Sequence, residues 1–184
     1  MILDSKIAFK KLETSDLSLI FKWINEPHIH RDYHQAGPYT FQDVIDEYHP
    51  IALEVSRVKA HIIYYDNVPI GYIQNYKLEA GDYEQSIPWE NTAGYDVFIG
   101  DPAYVNRGLG TKILCQFLLD ITFDDPTVNF CVINPKISNE RAIKVYKKIG
   151  FEIYKIVDRP NLVSDCVMRL DKAVFMETVR RIYL

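Results

Sequence analysis

Apolar residues recur along this chain in two periods, and the switches between them mark out its elements. Ile7-Ala8-Phe9-Lys10-Lys11-Leu12 partly alternates and predicts a first strand. Leu17, Ile20, Phe21 and Ile24 then recur at helical spacing, with Thr14 or Ser15 as the cap and Pro27 as the stop. Residues 28–39 read as a loop rich in His, Tyr and Gly. Thr40 precedes a second helical pattern of Phe41, Val44, Ile45 and Tyr48, with Ile51-Ala52-Leu53 beyond Pro50. Residues 60–65 and 70–76 form a hairpin turned at Asp66-Asn67-Val68-Pro69. A polar loop fills 79–93, and Gly94 to Gly100 is a strand that leads into a helix from about 107 to 123. Val128 to Ile133 is a buried strand, and a helix starts at Ser138 or Asn139 and closes at Gly150. Strands at 151–158 and 166–170 and a terminal helix at 173–182 complete the pattern. Helices follow strands near the centre and hairpins supply the rest, which predicts one α/β domain, residues 1–184, with a mixed sheet.

Composition narrows the function classes. A net charge of −4 argues against broad nucleic-acid binding, which needs a concentrated positive surface. No apolar run approaches the roughly 20 residues of a membrane span, and the first residues carry no signal-peptide pattern. Cys115, Cys131 and Cys166 sit in apolar runs without metal-ligand spacing, as small buried hydrophobes do in a reducing cytoplasm. The expected protein is cytoplasmic, a monomer or homodimer, with a small-molecule partner. Thirteen Tyr and two Trp are many for this length, and Tyr33, Tyr39, Tyr83 and Trp89 lie in polar segments. Rings beside carboxylates can line a pocket for a cation, or simply cover core edges.

Arg107-Gly108-Leu109-Gly110-Thr111 lies between the apolar strand Val97-Phe98-Ile99 and the apolar helix that begins near Ile113. Strand, glycine turn and helix in that order place free N–H groups where a phosphate can sit. The same residues would also make an ordinary tight turn. Position 113 is Ile, so a dinucleotide fingerprint lacks its third glycine. Gly110 is followed by Thr111-Lys112, so a P-loop is missing as well.

Downstream stands Asn139-Glu140-Arg141-Ala142-Ile143-Lys144-Val145-Tyr146-Lys147-Lys148-Ile149-Gly150-Phe151. With the glycine turn before it and the strand 128–133 between, it resembles the second conserved block of the GCN5-related N-acetyltransferase (GNAT) family. Trp23-Ile24-Asn25, Pro69-Ile70-Gly71-Tyr72-Ile73-Gln74-Asn75-Tyr76 and Gly94-Tyr95-Asp96 resemble its aminoglycoside 6′-N-acetyltransferase branch. The resemblance spans roughly residues 7 to 170. It implies the GNAT fold, a central mixed, mostly antiparallel sheet splayed at the acetyl-CoA site and flanked by helices. It further implies acetyl-CoA as co-substrate, no metal, and acetylation of the 6′-amine of aminoglycoside antibiotics, a resistance activity. Two positions depart from the pattern. Val105 replaces a Gln or Arg, and Asn134 replaces an acidic residue that helps bind the polycationic drug.

Amine acetylation needs a held thioester, a neutral amine and a route for its proton. Asp96, costly on an otherwise apolar strand, maps onto the branch's general base; a salt bridge or turn cap is its structural alternative. Tyr146 resembles the tyrosine placed near the cofactor sulfur, where a phenol can serve the leaving thiolate. It could equally be a core ring beside Ala142 and Ile149. By the same resemblance, Arg107, Gly108, Leu109, Gly110 and Thr111 hold the pyrophosphate, and the backbone of Val97, Phe98 and Ile99 pairs with pantetheine. Asn139 binds the pantetheine arm, caps its helix, or does both. Substrate contacts are expected from Asp32, Tyr33, Gln74, Tyr76, Glu84, Trp89, Glu90 and Asn134, with Asp82 adding to the field; exposed loop carboxylates are also common without a role. His28, His30 and His34 have chelating spacing but no companion ligands. Direct transfer suits a chain with no Ser/His/Asp or Cys/His constellation. A different acceptor amine (a siderophore precursor, a polyamine or a protein N-terminus) and a non-catalytic CoA-binding sensor are the alternatives.

Overall fold

A computed structural model describes residues 4–32, 38–80, 88–159 and 162–183. Two compact units make up the chain: Asp4–Tyr76 with Asp96–Leu109, and Lys77–Tyr95 with Gly110–Leu184. Seven strands are hydrogen-bonded in the order β1-β2-β3-β4-β5-β7-β6, a mostly antiparallel α/β sheet with one parallel pair.

In the first unit β1 (Ile7–Lys11) runs antiparallel to β2 (Lys59–Tyr65), with Ile7 opposite Tyr65. β2 pairs antiparallel with β3 (Val68–Lys77). The expected four-residue turn is a two-residue one, because Val68 already pairs with Tyr65. Asp66 and Asn67 both have positive φ (53° and 63°), as a turn matched to strand twist requires. β4 (Thr92–Ile99) begins two residues before the expected Gly94, and its second half belongs to this unit. At Gly71 a Cβ would lie 2.3 Å from the Phe98 carbonyl oxygen, so β3 and β4 are as close as glycine allows.

Three helices cover these strands. α1 (Leu17–Ile24) follows a 3-10 turn, Thr14–Asp16, that is capped by neither Thr14 nor Ser15. Glu13 is the last extended residue, and its amide donates to Asp16 Oδ2 at 2.9 Å. Pro27 does not simply stop a helix. It opens α2 (Pro27–Asp32) inside the expected loop, since proline's fixed φ and missing N–H suit a first turn. The Asn25 amide bridges the gap, donating to the Phe21 and Tyr39 carbonyls at 3.0 and 3.1 Å. α3 (Phe41–Ala52) starts at the expected Thr40, in a reciprocal cap with Asp43. It runs through Pro50, and Asp46, whose carbonyl loses a partner there, is exposed to water. Ile20, Trp23, Ile24, Val44, Tyr48 and Tyr72 are at the heart of this core.

In the second unit the first half of β4 pairs parallel with β5 (Phe130–Ile133), from Thr92↔Phe130 to Gly94↔Val132. β5 is shorter than expected because the amides of Asn129 and Phe130 both turn to the Asn91 carbonyl. β7 (Asp165–Asp171) lies antiparallel between β5 and β6 (Glu152–Val157). The helix expected from 107 to 123 is α4 (Leu109–Phe117) running into a π-helical turn, Leu118–Thr122. α5 (Glu140–Lys148) ends before Gly150, whose φ is +102°. α6 (Lys172–Tyr183) is the terminal helix. Phe117, Leu118, Cys131, Met168, Leu170 and Phe175 are fully buried here.

Candidate active site

In the first unit the side chain of Asp96 meets that of Gln74 from β3. Gln74 Nε2 donates to Asp96 Oδ2 at 2.8 Å. Gln74 Oε1 in turn accepts from the Tyr72 hydroxyl. Burial pushes the Asp96 carboxyl above the usual carboxylate range, the Gln74 hydrogen bond pulls it back, and the negative charge of Glu47 on α3 pushes the same way as burial. Tyr72 itself is 0% exposed, stacked on Phe98 with centroids 5.4 Å apart and meeting the edge of Tyr48. Glu47 is exposed and accepts from the Tyr39 hydroxyl at 2.9 Å. The salt-bridge and turn-cap alternatives for Asp96 do not match this geometry, in which its partner is a neutral amide. Tyr76 is the next same-face residue of β3 and lies under the Arg57 guanidinium at 5.5 Å.

β4 continues to Ile99 although its pairing with β5 reaches only Gly94. Val97, Phe98 and Ile99 therefore carry backbone beyond the parallel ladder. The Ile99 carbonyl accepts from His28 Nε2 at 2.9 Å. This bond gives His28 a place on α2 rather than in a solvated loop. Among the described residues no group of three His, Cys, Asp or Glu side chains could hold a metal ion. Beyond the strand, Asp101 caps a short turn by accepting from Ala103 N at 2.9 Å. Asn106 and Gly108 have positive φ, 63° and 73°. A Cβ on Gly108 would meet nothing within 4 Å, so the turn's outer side is open. Arg107 is exposed and lies over the Tyr104 ring at 5.2 Å.

The second unit holds the other half of the sequence motif. Tyr146 is 6% exposed and packs against Tyr95 and Phe151, with centroids 6.2 and 5.8 Å away. Asn139 caps α5, its Oδ1 accepting from Ala142 N at 3.1 Å. Gly110 and Thr111 are in the first turn of α4, and a Cβ on Gly110 would lie 3.8 Å from Val145 of α5. Beside it an open depression is lined by Glu140, Arg141, Lys144, Val145 and Lys148. Asn134 is partly buried just past β5. Its segment is pinned by Asp165, which is 5% exposed and accepts from Lys136 Nζ at 2.7 Å and Arg159 Nε at 2.9 Å. Trp89 and Glu90 are exposed ahead of β4. Tyr33, Asp82, Tyr83, Glu84 and His34 lie outside the described residues, and of Asp32 only its place at the end of α2 is described.

Sequence reasoning missed Tyr72, Glu47, Tyr95 and the cations of α5. Two of these were open to detection. Tyr72 is two residues before Gln74 on the same strand face, and Arg141, Lys144 and Lys148 share one helix face by their spacing.

A strand whose parallel pairing stops at Gly94, a glycine turn before a helix, and an Asn-capped helix that carries a buried tyrosine are each features of an acyl-CoA-type transferase. A family model described as an acetyltransferase (GNAT) domain matches residues 13–159, and the chain belongs to that family of N-acetyltransferases. It is 32% identical over 164 residues to the aminoglycoside N(6′)-acetyltransferase type 1 of Klebsiella pneumoniae, covering 86% of this chain and 80% of that protein. Among solved structures it resembles AAC(6′)-Ib in complex with ribostamycin and coenzyme A. The TM-score is 0.83 at 29% identity, over 95% of this chain and 98% of the other. The complex of the same enzyme with coenzyme A and kanamycin matches with TM-score 0.80 at 29% identity, over 94% and 98%.

Proposed function

We propose that this protein acetylates the 6′-amine of aminoglycoside antibiotics with acetyl-CoA, by direct transfer and without a metal. The family model runs across both compact units, which supports residues 1–184 as one acetyltransferase domain. The observation that carries the catalytic reading is the Asp96 carboxylate, raised in pKa by burial and held by Gln74 at 2.8 Å. A base whose pKa moves toward the working pH removes a proton more effectively. Asp96 takes a proton from the substrate ammonium, and the free amine attacks the thioester carbonyl. The tetrahedral intermediate then collapses as its C–S bond breaks; the CoA thiolate leaves with a proton or hydrogen bond from Tyr146, and the second proton lost by the amine nitrogen replaces any that Tyr146 gives. Backbone amides of residues 108–111 hold the pyrophosphate at the start of α4. Arg141, Lys144 and Lys148 add positive charge beside them, and Asn139 keeps α5 capped. Glu47 and Asp96 make the anionic face for a polycationic substrate.

Thiol release from acetyl-CoA across aminoglycosides, polyamines and peptides tests this. Turnover of kanamycin and ribostamycin is expected, and Asp96→Asn should lower kcat at least about 100-fold with acetyl-CoA affinity kept. An active Asp96→Asn enzyme with an unchanged pH profile removes Asp96 from the mechanism. Asn134, uncharged where the branch tends to be acidic, favours a second reading in which the acceptor is another amine. Turnover of a polyamine or peptide with failure of every aminoglycoside would establish that one.

A further inference from the structure

Gln74 was expected to meet the substrate, yet both ends of its amide are engaged inside the first unit. An ionised carboxylate only accepts hydrogen bonds, so the group facing Asp96 Oδ2 is the Gln74 NH2. Its carbonyl oxygen then faces Tyr72 and can only accept, so the phenol must donate. The polarity of the chain is thereby set from Tyr72 through Gln74 to Asp96. Tyr72 has little freedom to do otherwise, being fully buried with its ring held by Phe98 on one face and Tyr48 at an edge. Without that hydroxyl the Gln74 amide could rotate and turn its oxygen toward a protonated Asp96, which would favour the protonated carboxyl.

We infer that Tyr72 is a positioning residue that locks the Gln74 amide with its NH2 on Asp96 Oδ2, so that Asp96 stays ionised and oriented for the incoming amine. This rests on the reading of Asp96 as the general base. Two neighbours on other elements bear directly on the carboxylate's proton affinity, Gln74 from β3 and Glu47 from α3, and burial with the Asp96 and Glu47 charges in turn keeps the Tyr72 phenol protonated. Glu47 opposes ionisation, whereas the Gln74 bond favours it. Loss of the bond therefore raises the proton affinity of Asp96. The acidic limb of kcat/KM, which reports the base in the free enzyme, must then move to higher pH.

The test uses the full chain and whichever amine it turns over best. Gln74→Leu removes the donor and should move the acidic limb up by about one pH unit. Tyr72→Phe keeps the buried ring and should move it the same way by roughly half as much, with the KM for acetyl-CoA unchanged. Tyr48→Phe removes a hydroxyl at similar depth that bonds to Glu47 and not to Gln74 or Asp96, and should move the limb less than Tyr72→Phe does. The inference is overturned if Tyr72→Phe leaves the limb at its wild-type pH. It is equally overturned if Tyr48→Phe moves the limb as far as Tyr72→Phe does. Asp96→Asn separates the two levels: a wild-type profile in that variant sinks the base itself, whereas an inactive Asp96→Asn beside an unshifted Tyr72→Phe sinks only the relay.

Discussion

Replacing Gly71 with alanine should weaken the first unit at the point that carries Tyr72, Gln74 and Asp96. The new Cβ would sit 2.3 Å from the Phe98 carbonyl oxygen, 3.0 Å from Ile99 Cα and 3.2 Å from Phe98 C. Normal heavy-atom contacts are about 3.5 Å, so the overlap exceeds roughly 1 Å. All three atoms are backbone and cannot swing aside. The strands must therefore part, and an N–H···O bond of ordinary length stretched by about 1 Å no longer counts as one. Gly100 N and Asp101 N, which reach the Ile70 carbonyl at 2.8 and 3.0 Å, are next to the strain. Losing two or three such bonds costs about 2–3 kcal/mol. Against this stands a gain of about 0.5–1 kcal/mol from replacing glycine within a strand. The clash wins, leaving about 2 kcal/mol of destabilisation, or a Tm lower by about 4–8 °C at this chain length. Thermal unfolding by circular dichroism, with activity measured well below the transition, checks both consequences. A Gly71→Ala protein that melts within a degree of wild type would show that β3 and β4 are not in contact as described.

Two further outcomes follow from other sites. Burial, with Lys11 and Lys59 nearby, lowers the His61 pKa to about 4. The unfolded chain binds that proton near pH 6.5 and the folded one does not, so His61's stability term is complete above about 6.5 and falls away as pH drops toward 4. After allowance for partial exposure the loss is up to about 2 kcal/mol, and His61→Phe should flatten the decline in urea midpoint between pH 7 and pH 5; a decline as steep as wild type's assigns it elsewhere. On α5, the double substitution Lys144→Ala with Lys148→Ala should raise the KM for acetyl-CoA about 3–10-fold and leave kcat unchanged, with the difference shrinking in high salt. An unchanged KM at low salt would remove this face from phosphate binding.

Much of the architecture was legible as periodicity. The hairpin of β2 and β3, the Thr40-capped helix and the Asn139-to-Gly150 helix came from local signals: alternation, a capping residue and a left-handed glycine. α2 was missed because Pro27 is ambiguous in sequence, able to end one helix or begin the next. β5 was overextended because the apolar run 128–133 does not reveal that the Asn91 carbonyl takes two of its amides.

The sequence by itself determined the family, since the glycine turn, Asn139, Tyr146 and Gly150-Phe151 are short-range patterns whose order and spacing survive without coordinates. It also singled out Asp96, because an acid on an apolar strand demands a reason. Only the tertiary structure decided what that acid touches. Asp96 and Gln74 are 22 residues apart and join across neighbouring strands, and Glu47 comes near through packing of a helix on the sheet. Contacts of that kind depend on register and burial, and a single sequence does not encode which distant partner a polar group will find when water is removed from around it.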